Sequence, residues 1–468
     1  MYFPSFIINR RCEVRSFLQE GDEADIDVAV AAARKAFARN SEWRQMDASA
    51  RGRLLWKLAD LIQDNFTELS SLECLDVGKP FSQAQSDINT AIQSLRYFAG
   101  FADKVCGKSI PVDGNYLCFT RCEPVGVCGA ILPWNFPLAL LCGKVGPALA
   151  VGCTVVIKPA EQTPLSSLHF GSLVAEAGFP PGVVNIVPGF GATAGAALTR
   201  HPHVDLISFT GSTEVGKLIM KGSGDSNLKK VTLELGGKSP NVVFADADLD
   251  YAVAMSDFGL FYNMGQCCTA ASRCFVQEEI YDQFVAKAVE RAKKKVVGCP
   301  FDDNIDNGPQ VDNEQFKKIL NLIESGKKEG ARLMCGGRRV GDKGYFVEPT
   351  VFADVTDDMR IAREEIFGPV QQILKFKTMD EVIARANETT YGLAASIFTK
   401  DIDKALEYAS SVNAGTVWVN CYHVVKPQAP FGGFKQSGLG REHGFEGISE
   451  YCEIKTVIIK LNNAKYIP

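Results

Sequence analysis

Two adjacent cysteines are the residues of this sequence best suited to nucleophilic chemistry. Cys267 and Cys268 follow residues 262–266 (YNMGQ), a pattern that predicts the end of a helix and a glycine turn. A reactive cysteine needs partial exposure and surroundings that favour its thiolate form. The turn could provide both, whereas the alternative for any single thiol is a buried and inert side chain.

A glutamate at the end of an apolar segment is a candidate for proton transfer. Glu234 stands between Leu233 and Leu235, directly before two glycines. Burial raises the pKa of a carboxyl group, and a raised pKa suits a general base. The alternative interpretation of this segment is a glutamate that only forms an ion pair with a nearby lysine.

The segment PWNFP, residues 133–137, places an amide side chain at a predicted junction between a strand and a helix. Pro137 suits the first turn of that helix. Asn135 could cap the helix, or its side-chain N–H could stabilise a negatively charged oxygen. The residues alone leave both roles open.

Two further segments have the composition of a dinucleotide site. Lys158 and Glu161 follow a predicted strand, and ligands bind at the carboxyl ends of parallel strands. A glutamate there can accept hydrogen bonds from both hydroxyls of a ribose. Residues 209–216 (FTGSTEVG) read as a strand, a glycine turn and a helix start, and helix N-termini bind phosphate oxygens. This segment is not the GxGxxG pattern, and an ordinary turn is the alternative.

The elements that must position these residues alternate between strands and helices. The predicted strands of the first half are residues 125–132, 154–157, 183–187, 204–209 and 231–235. The predicted helices are residues 24–37, 51–75, 137–151 and 165–177, with another beginning near residue 212. The strands recur roughly every 25–30 residues, which is typical of βαβ units and a parallel sheet.

A second α/β pattern begins after residue 237. Its predicted elements are a helix over residues 249–262 and strands over residues 241–244, 273–277, 370–376, 394–398 and 416–420. The last predicted strand, residues 455–460, has no helix after it. An unpaired strand of this kind could pair with a sheet edge in another subunit.

Composition excludes several classes of function. A chain of 468 residues is too long for one hydrophobic core, so two or three domains are expected. The net charge of −5 and the lack of a basic block argue against a nucleic-acid partner. No apolar run reaches the roughly 18 residues of a membrane-spanning helix, and the apolar run at residues 3–8 is too short for a secretion signal.

The cysteines indicate a reducing compartment rather than a disulfide framework. There are 15 of them, an odd number spread along the whole chain, whereas disulfide frameworks belong to small secreted domains. We therefore expect a cytoplasmic protein with mostly buried thiols. No CxxC pair occurs at zinc spacing, so no metal is expected.

Taken together and in this order, the segments resemble the aldehyde dehydrogenase superfamily over residues 21–460. The resemblance rests on seven motifs: PWNFP (133–137), KPAEQTP (158–164), FTGSTEVG (209–216), LELGGKSP (233–240), GQCC (265–268), EEIFGP (364–369) and PFGGFKQSG (430–438). Within the superfamily, the chain is most similar to the cytosolic class that includes the retinal dehydrogenases.

The resemblance implies a role for each matching catalytic position. Cys268 matches the nucleophile and Glu234 the general base. Asn135 matches the amide of the oxyanion hole, with the backbone N–H of Cys268 as the second donor. Glu442 matches a second carboxylate that is sometimes given a role in proton relay.

The resemblance also implies that NAD is the cofactor. Lys158 and Glu161 match the contacts to the adenosine ribose, and Ser212 matches a pyrophosphate contact. The other residues implied for the cofactor site are Gly191, Gly211, Glu365 at the nicotinamide-side ribose, and Phe367, which packs beside it.

These roles imply one mechanism for the oxidation of an aldehyde to its carboxylic acid. The thiolate adds to the carbonyl carbon, and the two N–H donors stabilise the resulting oxyanion. Transfer of hydride to the nicotinamide leaves a thioester, which Glu234 hydrolyses by activating a water.

The fold implied is α/β, with a Rossmann-like cofactor domain, an α/β catalytic domain and a β-flap for oligomerisation. By analogy, the NAD-binding domain covers residues 1–104 and 124–236, and the catalytic domain covers residues 237–440. The flap uses residues 105–123 and 450–468. Members of this class are usually homotetramers, so a homotetramer is expected.

The chain departs from the family pattern at two places. Residues 1–20 do not match the longer N-terminal segment of the relatives. Gly143 stands where close relatives usually have tryptophan in the substrate funnel, which His423 and Val425 are also expected to line. A wide funnel would fit a bulky apolar aldehyde such as retinal, and the alternative is that neighbouring side chains fill the space.

Two other functions are compatible with the resemblance. Members of the superfamily have been recruited as lens crystallins, in which activity is dispensable, although the retained Cys268, Glu234 and Asn135 argue for catalysis. The other is a semialdehyde dehydrogenase, which passes its acyl group to coenzyme A. Glu234 argues against this function, because a general base favours transfer of the acyl group to water.

Overall fold

The computed structural model describes residues 20–462. The N-terminal departure and the apolar run at residues 3–8 therefore lie outside the described residues, apart from Glu20. The strands, in chain order, are β1 (Ser109–Ile110), β2 (Tyr116–Pro124), β3 (Val127–Ile131), β4 (Thr154–Lys158), β5 (Val184–Ile186), β6 (Leu206–Thr210), β7 (Lys230–Glu234), β8 (Pro240–Val243), β9 (Arg273–Gln277), β10 (Arg332–Cys335), β11 (Thr350–Ala353), β12 (Val370–Phe376), β13 (Ala394–Phe398), β14 (Thr416–Val419), β15 (Gly438–Leu439) and β16 (Cys452–Lys460).

Helices connect most of these strands. In chain order they are α1 (Glu23–Phe37), α2 (Glu42–Gln45), α3 (Ala48–Asp64), α4 (Phe66–Val77), α5 (Phe81–Ala99), α6 (Pro137–Val151), α7 (Leu165–Ala177), α8 (Ala196–Arg200), α9 (Thr213–Gly224), α10 (Leu249–Phe261), α11 (Tyr281–Lys294), α12 (Asn313–Lys328), α13 (Arg360–Arg363), α14 (Met379–Asn387), α15 (Ile402–Ser411) and α16 (Gly444–Glu450). The alternation of strands and helices confirms the predicted α/β class.

The strands form three sheets. A six-stranded sheet has the order β15-β7-β6-β3-β4-β5, and all of its pairings are parallel except that of β15 with β7. A seven-stranded sheet has the order β10-β11-β12-β9-β8-β13-β14 and is parallel except for β10. The third sheet, β1-β2-β16, is antiparallel.

The six-stranded sheet is buried on both faces. Side chains of β3 and β4 alternate between two cores: Val127 and Val156 pack with α1 and α8, whereas Cys128 and Val155 pack with α3, α5, α6 and α7. Parallel strands covered on both sides read as continuous apolar runs. This explains why all five residues of β3, β4 and β6 are buried.

Several predicted elements have the bounds observed. The helices at residues 137–151 and 165–177 and the strands at residues 273–277, 370–376 and 394–398 are confirmed to the residue. The single helix predicted over residues 51–75 is wrong, because two helices, α3 and α4, meet at Asn65. The Asn65 side chain donates to the carbonyl of Leu61 at 2.9 Å, a local bond that competes with the helical pattern.

The last strand pairs inside its own chain. β16 lies antiparallel to β2 over nine residues, from Cys452 opposite Pro124 to Lys460 opposite Tyr116. The pairing with an edge in another subunit that the sequence suggested would use the other edge of β16 and stays a prediction. The opposite edge of β16 has no neighbouring strand among residues 20–462, and Ile454 and Ile458 are exposed there.

Within the part of the chain that the structure describes, no helix is both long enough and apolar enough to span a membrane. Among the same residues, no group of three or more histidine, cysteine, aspartate or glutamate side chains is arranged to hold a metal ion.

Candidate active site

A cavity of about 470 Å³ brings together most of the predicted site residues. Eight of them line it: Asn135, Gly211, Ser212, Glu234, Cys268, Glu365, Phe367 and Glu442. Lys158, Glu161 and Gly191 lie outside this lining. The rest of the lining contains both aromatic and polar side chains. His423 and Val425 line the cavity as the sequence predicted, and the aromatic residues are Trp134, Phe136, Phe258, Tyr262 and Phe431.

A sharp turn after α10 brings Cys268 to this cavity. Asn263 and Gly265 both have left-handed backbone, with φ of 49° and 72°. Position 265 requires glycine, because a Cβ there would lie 2.1 Å from the carbonyl oxygen of Gly368. The neighbouring Cys267 and then burial raise the pKa of the Cys268 thiol well above its usual range.

Glu234 is the last residue of β7 and its side chain is buried. Burial, followed by the negative charge of Glu442, raises the pKa of Glu234 well above its usual range, and a hydrogen bond with Cys268 opposes this shift. Its Oε1 has no hydrogen-bond partner among residues 20–462. The carboxyl group therefore has a free oxygen beside the thiol, as a base requires.

Glu442 has the opposite electrostatic environment. Burial disfavours its charge, but the ion pair with Lys144 outweighs burial and holds the pKa of Glu442 below its usual range. Lys144 also donates to Ser208 Oγ at 3.1 Å. The two carboxyl groups thus have pKa values pushed apart, the arrangement in which one acts as proton carrier and the other as a fixed charge.

Asn135 lies between β3 and α6, where the sequence left a helix cap as an alternative. The residue before α6 is Phe136, and no side chain caps this helix, so the capping interpretation of Asn135 is wrong. Its Nδ2 donates to the carbonyl of Gln266 at 3.1 Å. An amide nitrogen carries two N–H donors, so this bond leaves one N–H for a ligand.

The predicted adenosine side of the cofactor site lies at the carboxyl end of β4. Lys158 Nζ donates to the carbonyls of Pro159 and Gly189, each at 2.8 Å, and pairs with Glu161 Oε2 at 3.1 Å. Burial lowers the pKa of Lys158. Gly191 begins a π-helical turn after β5, and a Cβ there would have no protein atom within 4 Å.

The turn from β6 to α9 contains Gly211 and Ser212. A Cβ at Gly211 would come within 2.4 Å of Phe209 Cζ, so packing requires glycine there. Ser212 caps α9, and its oxygen accepts from Val215 N at 3.2 Å. The hydroxyl proton of Ser212 is still available to a ligand beside the helix start.

The remaining residues predicted for the cofactor site, Glu365 and Phe367, come from the segment between α13 and β12. Glu365 Oε1 accepts from the backbone N–H of Gly237 at 2.8 Å, and burial raises the pKa of Glu365 to about 7. Phe367 has a left-handed φ of 58°, and its ring packs edge-on against Trp134 at 5.2 Å between centroids. Unfavourable backbone of this kind is common at ligand sites.

Sequence reasoning missed Lys144, although a signal was present. It is the only charged residue in α6, whose sequence is otherwise PLALLCG and VGPALAV. A lone lysine within a buried apolar helix needs a partner, since burying an unpaired charge is costly. That requirement could have indicated Glu442, which is far away in the sequence.

The structure also explains the space beside Gly143. Gly143 is buried and does not line the cavity, whereas His443 does. A Cβ on Gly143 would lie 3.5 Å from His443 Cε1. The His443 imidazole therefore occupies the space next to the glycine, which supports filling by a neighbour over an enlarged funnel.

The comparisons with known proteins agree with this site. The sequence model of the aldehyde dehydrogenase family matches residues 12–457. The chain belongs to the aldehyde dehydrogenase family. Two of its relatives are aldehyde dehydrogenase 1A1 of Gallus gallus and retinal dehydrogenase 2 of Homo sapiens, 64% and 62% identical. Each match covers 96% of this chain, and 88% and 86% of the respective relative.

Solved structures of the family have the same fold as this aldehyde dehydrogenase. The NAD⁺ complex of an aldehyde dehydrogenase from Bacillus cereus superposes with a TM-score of 0.95 at 49% sequence identity. The match covers 96% of this chain and 91% of the Bacillus chain. The predicted aldehyde dehydrogenase-like fold is therefore confirmed.

Family membership confirms that the chain is an enzyme, an NAD-dependent aldehyde dehydrogenase. The crystallin and coenzyme A alternatives are not favoured by the relatives. Two features of this aldehyde dehydrogenase also fit a dinucleotide. There is open space in front of Gly191. The Thr210 hydroxyl lines the cavity, is buried, and has no hydrogen-bond partner among residues 20–462.

Proposed function

We propose that this aldehyde dehydrogenase oxidises a bulky apolar aldehyde, with retinal as one candidate, through a thioester on Cys268. The observation that carries the proposal is the convergence of Cys268, Glu234 and Asn135 on one cavity, whose wall includes several aromatic side chains. Apolar surface binds apolar ligands roughly in proportion to the area buried, at about 25 cal/mol per Å². A long apolar aldehyde gains more from this wall than acetaldehyde does.

In the proposed mechanism, the Cys268 thiol gives its proton to the neighbouring Glu234 carboxylate, and its sulfur attacks the carbonyl carbon of the aldehyde. Glu234 releases this proton to solvent before it acts as a base again. The free N–H of Asn135 and the backbone N–H of Cys268 donate to the oxyanion that forms. NAD, when bound, supplies the acceptor for the hydride of the aldehyde. Glu234 then removes a proton from a water, which attacks the thioester carbonyl, and the Cys268 sulfur leaves as the carboxylic acid forms.

Seven residues are proposed to hold NAD: Lys158, Glu161, Gly191, Gly211, Ser212, Glu365 and Phe367. Their support is their place in the fold, at the carboxyl ends of parallel strands and at the start of α9. Glu442 is proposed to take the proton-relay role that the resemblance implies. Its charge, stabilised by Lys144, also raises the pKa of Glu234.

The test of the proposed function is a kcat/KM panel from acetaldehyde through medium-chain aldehydes to retinal, followed by absorbance of the reduced nicotinamide. We expect the bulky aldehydes to have the higher kcat/KM, mainly through a lower KM, because the apolar tail is held similarly before and during the reaction. A panel in which acetaldehyde is the best substrate would contradict the substrate class.

We expect the enzyme to prefer NAD to NADP by at least about tenfold in kcat/KM. Glu161 is placed to accept from a ribose 2′-hydroxyl, and a 2′-phosphate would meet a like charge. Its ion pair with Lys158, at 3.1 Å, softens that repulsion. The measurement is kcat/KM with each cofactor, with Glu161→Gln as the comparison variant, in which the preference should shrink. Equal use of both cofactors by the unaltered enzyme would remove Glu161 from this role.

We expect Gly143→Trp to impair bulky aldehydes by about tenfold or more while acetaldehyde is spared. The indole would need the space that the His443 imidazole occupies and would push that ring into the cavity, and overpacking of this kind forces neighbours to move. Gly143→Ala is the matched control, since its Cβ fits at 3.5 Å from His443. An equal loss of kcat/KM for small and large aldehydes would show that Gly143 does not determine the size of the substrate.

The domain roles, assembly and location are also proposals. We assign NAD binding to residues 1–104 and 124–236, catalysis to residues 237–440, and oligomerisation to a flap of residues 105–123 and 450–468. The exposed Ile454 and Ile458 beside the open edge of β16 support a homotetramer built through the flap. A cytoplasmic location is supported by the free thiols of Cys267 and Cys268. Light scattering on the purified enzyme tests the tetramer.

A further inference from the structure

We propose that Lys79 is a positioning residue for the oxyanion amide of Asn135, and that Asp87 holds Lys79 in place. The inference rests on the role proposed for Asn135. Lys79 follows Gly78, which ends α4 with a left-handed φ of 80°. Its fully buried side chain donates from Nζ to the backbone carbonyl oxygen of Asn135 at 2.8 Å and forms an ion pair with Asp87 of α5.

The carbonyl of Asn135 receives two donors from different parts of the chain. Besides Lys79 Nζ, the Asn263 side chain donates to the same oxygen from Nδ2 at 3.0 Å. Asn263 belongs to the turn that brings Cys268 to the cavity. The peptide group that follows Asn135 is therefore held from two directions. Lys79, just after α4, contacts it from one, and Asn263, in the turn before Cys268, contacts it from the other.

The residues that follow Asn135 are held in place as well. The Lys79 ammonium lies 4.4 Å from the centre of the Phe136 ring, close enough for a cation–π contact. Two residues further on, the backbone N–H of Leu138 donates to Glu73 Oε1 at 2.9 Å. The Asn135 carbonyl and the backbone that follows it thus have ionisable side chains as partners, although no side chain caps α6.

A buried ion pair is a costly way to stabilise a fold. Removing two charges from water costs free energy that their attraction often fails to recover, and apolar residues of similar volume commonly do as well or better. Asp87 nevertheless lines the cavity, where its Oδ1 also accepts from the Tyr262 hydroxyl at 3.2 Å, and Lys79 lies outside the lining. The bond to Asn135 gives the ammonium a catalytic purpose that a pair of apolar residues could not serve.

Position matters for this amide more than for an ordinary buried group. A donor stabilises an oxyanion only if it already points at the place where charge develops, and small displacements in an active site can cost about 100-fold in rate. Fixing the carbonyl of Asn135 limits rotation of its backbone, and the bond from Nδ2 to Gln266 limits rotation of its side chain. Lys79 therefore acts on the reaction through Asn135.

The test is a double-mutant cycle on the rate of the first turnover. Lys79→Met should slow the burst of reduced cofactor by about 10- to 100-fold, whereas the KM for NAD should stay near that of the unaltered enzyme. In an Asn135→Ala background, the same substitution should change the burst rate by less than about twofold, because the amide it positions is absent. A residue with a merely structural role would slow both backgrounds equally.

Two further variants keep the result interpretable. Lys79→Met leaves Asp87 as an uncompensated buried charge, so the neutral pair Lys79→Met/Asp87→Asn is measured beside it, with thermal unfolding and NAD binding as checks of the fold. Lys229→Met is the matched control, since Lys229 also donates from a buried Nζ to a carbonyl, that of Thr199 at 2.7 Å, away from the cavity. It should leave the burst unchanged.

The outcomes separate this inference from the proposed function. If Asn135→Ala itself leaves the burst rate unchanged, the oxyanion role of Asn135 is wrong. If Asn135→Ala slows the burst but the neutral pair does not, Asn135 keeps its role and the positioning by Lys79 is overturned. Equal slowing by Lys79→Met with and without the Asn135 amide would also overturn it.

Discussion

Cys268→Ala will abolish aldehyde oxidation and leave NAD binding close to that of the unaltered enzyme. The proposed mechanism passes through a thioester on this sulfur, and no other group can carry the acyl chain to the same position. We expect kcat/KM to fall by at least about 10⁴-fold, the scale on which enzymes lose activity without their covalent nucleophile. Binding should survive because the proposed NAD contacts lie on other elements.

The matched control for this experiment is the neighbouring thiol. Cys267 is buried, and its sulfur contacts Thr269 Oγ1 at 3.2 Å. We expect Cys267→Ala to lower kcat/KM by less than about tenfold, through a small change in the position of Cys268. Activity is followed by absorbance and NAD binding by quenching of tryptophan fluorescence. Substantial turnover by Cys268→Ala would exclude Cys268 as the nucleophile.

Glu234→Gln will separate the two halves of the reaction. Steady-state turnover should fall by about 10²- to 10⁴-fold, the usual contribution of a general base, because water attacks the thioester unassisted. The first turnover should still release reduced cofactor as a burst at alkaline pH, where the Cys268 thiol ionises without help. The amplitude of that burst, compared with the concentration of active sites, is the measurement.

The pH dependence of the two enzymes gives a second readout. A base works only when deprotonated, and burial and Glu442 raise the pKa of Glu234. The steady-state rate of the unaltered enzyme should therefore rise with pH through a pKa above the ordinary range of glutamate, and this rise should be absent from Glu234→Gln. A normal steady-state rate for the variant at neutral pH would remove Glu234 from the base role.

Local patterns were sufficient for much of the fold. The parallel strands are short apolar runs followed by helical patterns, so β9, β12, β13, α6 and α7 have the predicted bounds. The helix over residues 51–75 failed because one side chain, Asn65, bonds to a carbonyl of its own helix. The spacing of hydrophobic residues does not show where a polar side chain bonds to the backbone and interrupts a helix.

Contacts between distant segments were beyond these patterns. The capping role of Asn135 was a reasonable local interpretation, but its side chain bonds to Gln266 on another element. The partner of Lys144 and the imidazole next to Gly143 likewise come from positions 442 and 443, about 300 residues further along. The resemblance to the family identified the residues around the cavity. The opposite pKa shifts of Glu234 and Glu442 could not be predicted from the sequence, because they depend on which charged groups the fold brings next to each carboxyl group.

The pairing of β2 with β16 has a consequence for the order in which the chain acquires its structure. β2 is synthesised long before its partner, residues 452–460. Contacts between such distant segments form slowly, because a long loop must close first. Until then this edge of β2 is unpaired, and unpaired edges promote association with other chains. Synthesis of β16, rather than completion of either large sheet, is thus the step after which the nascent chain can cover this edge.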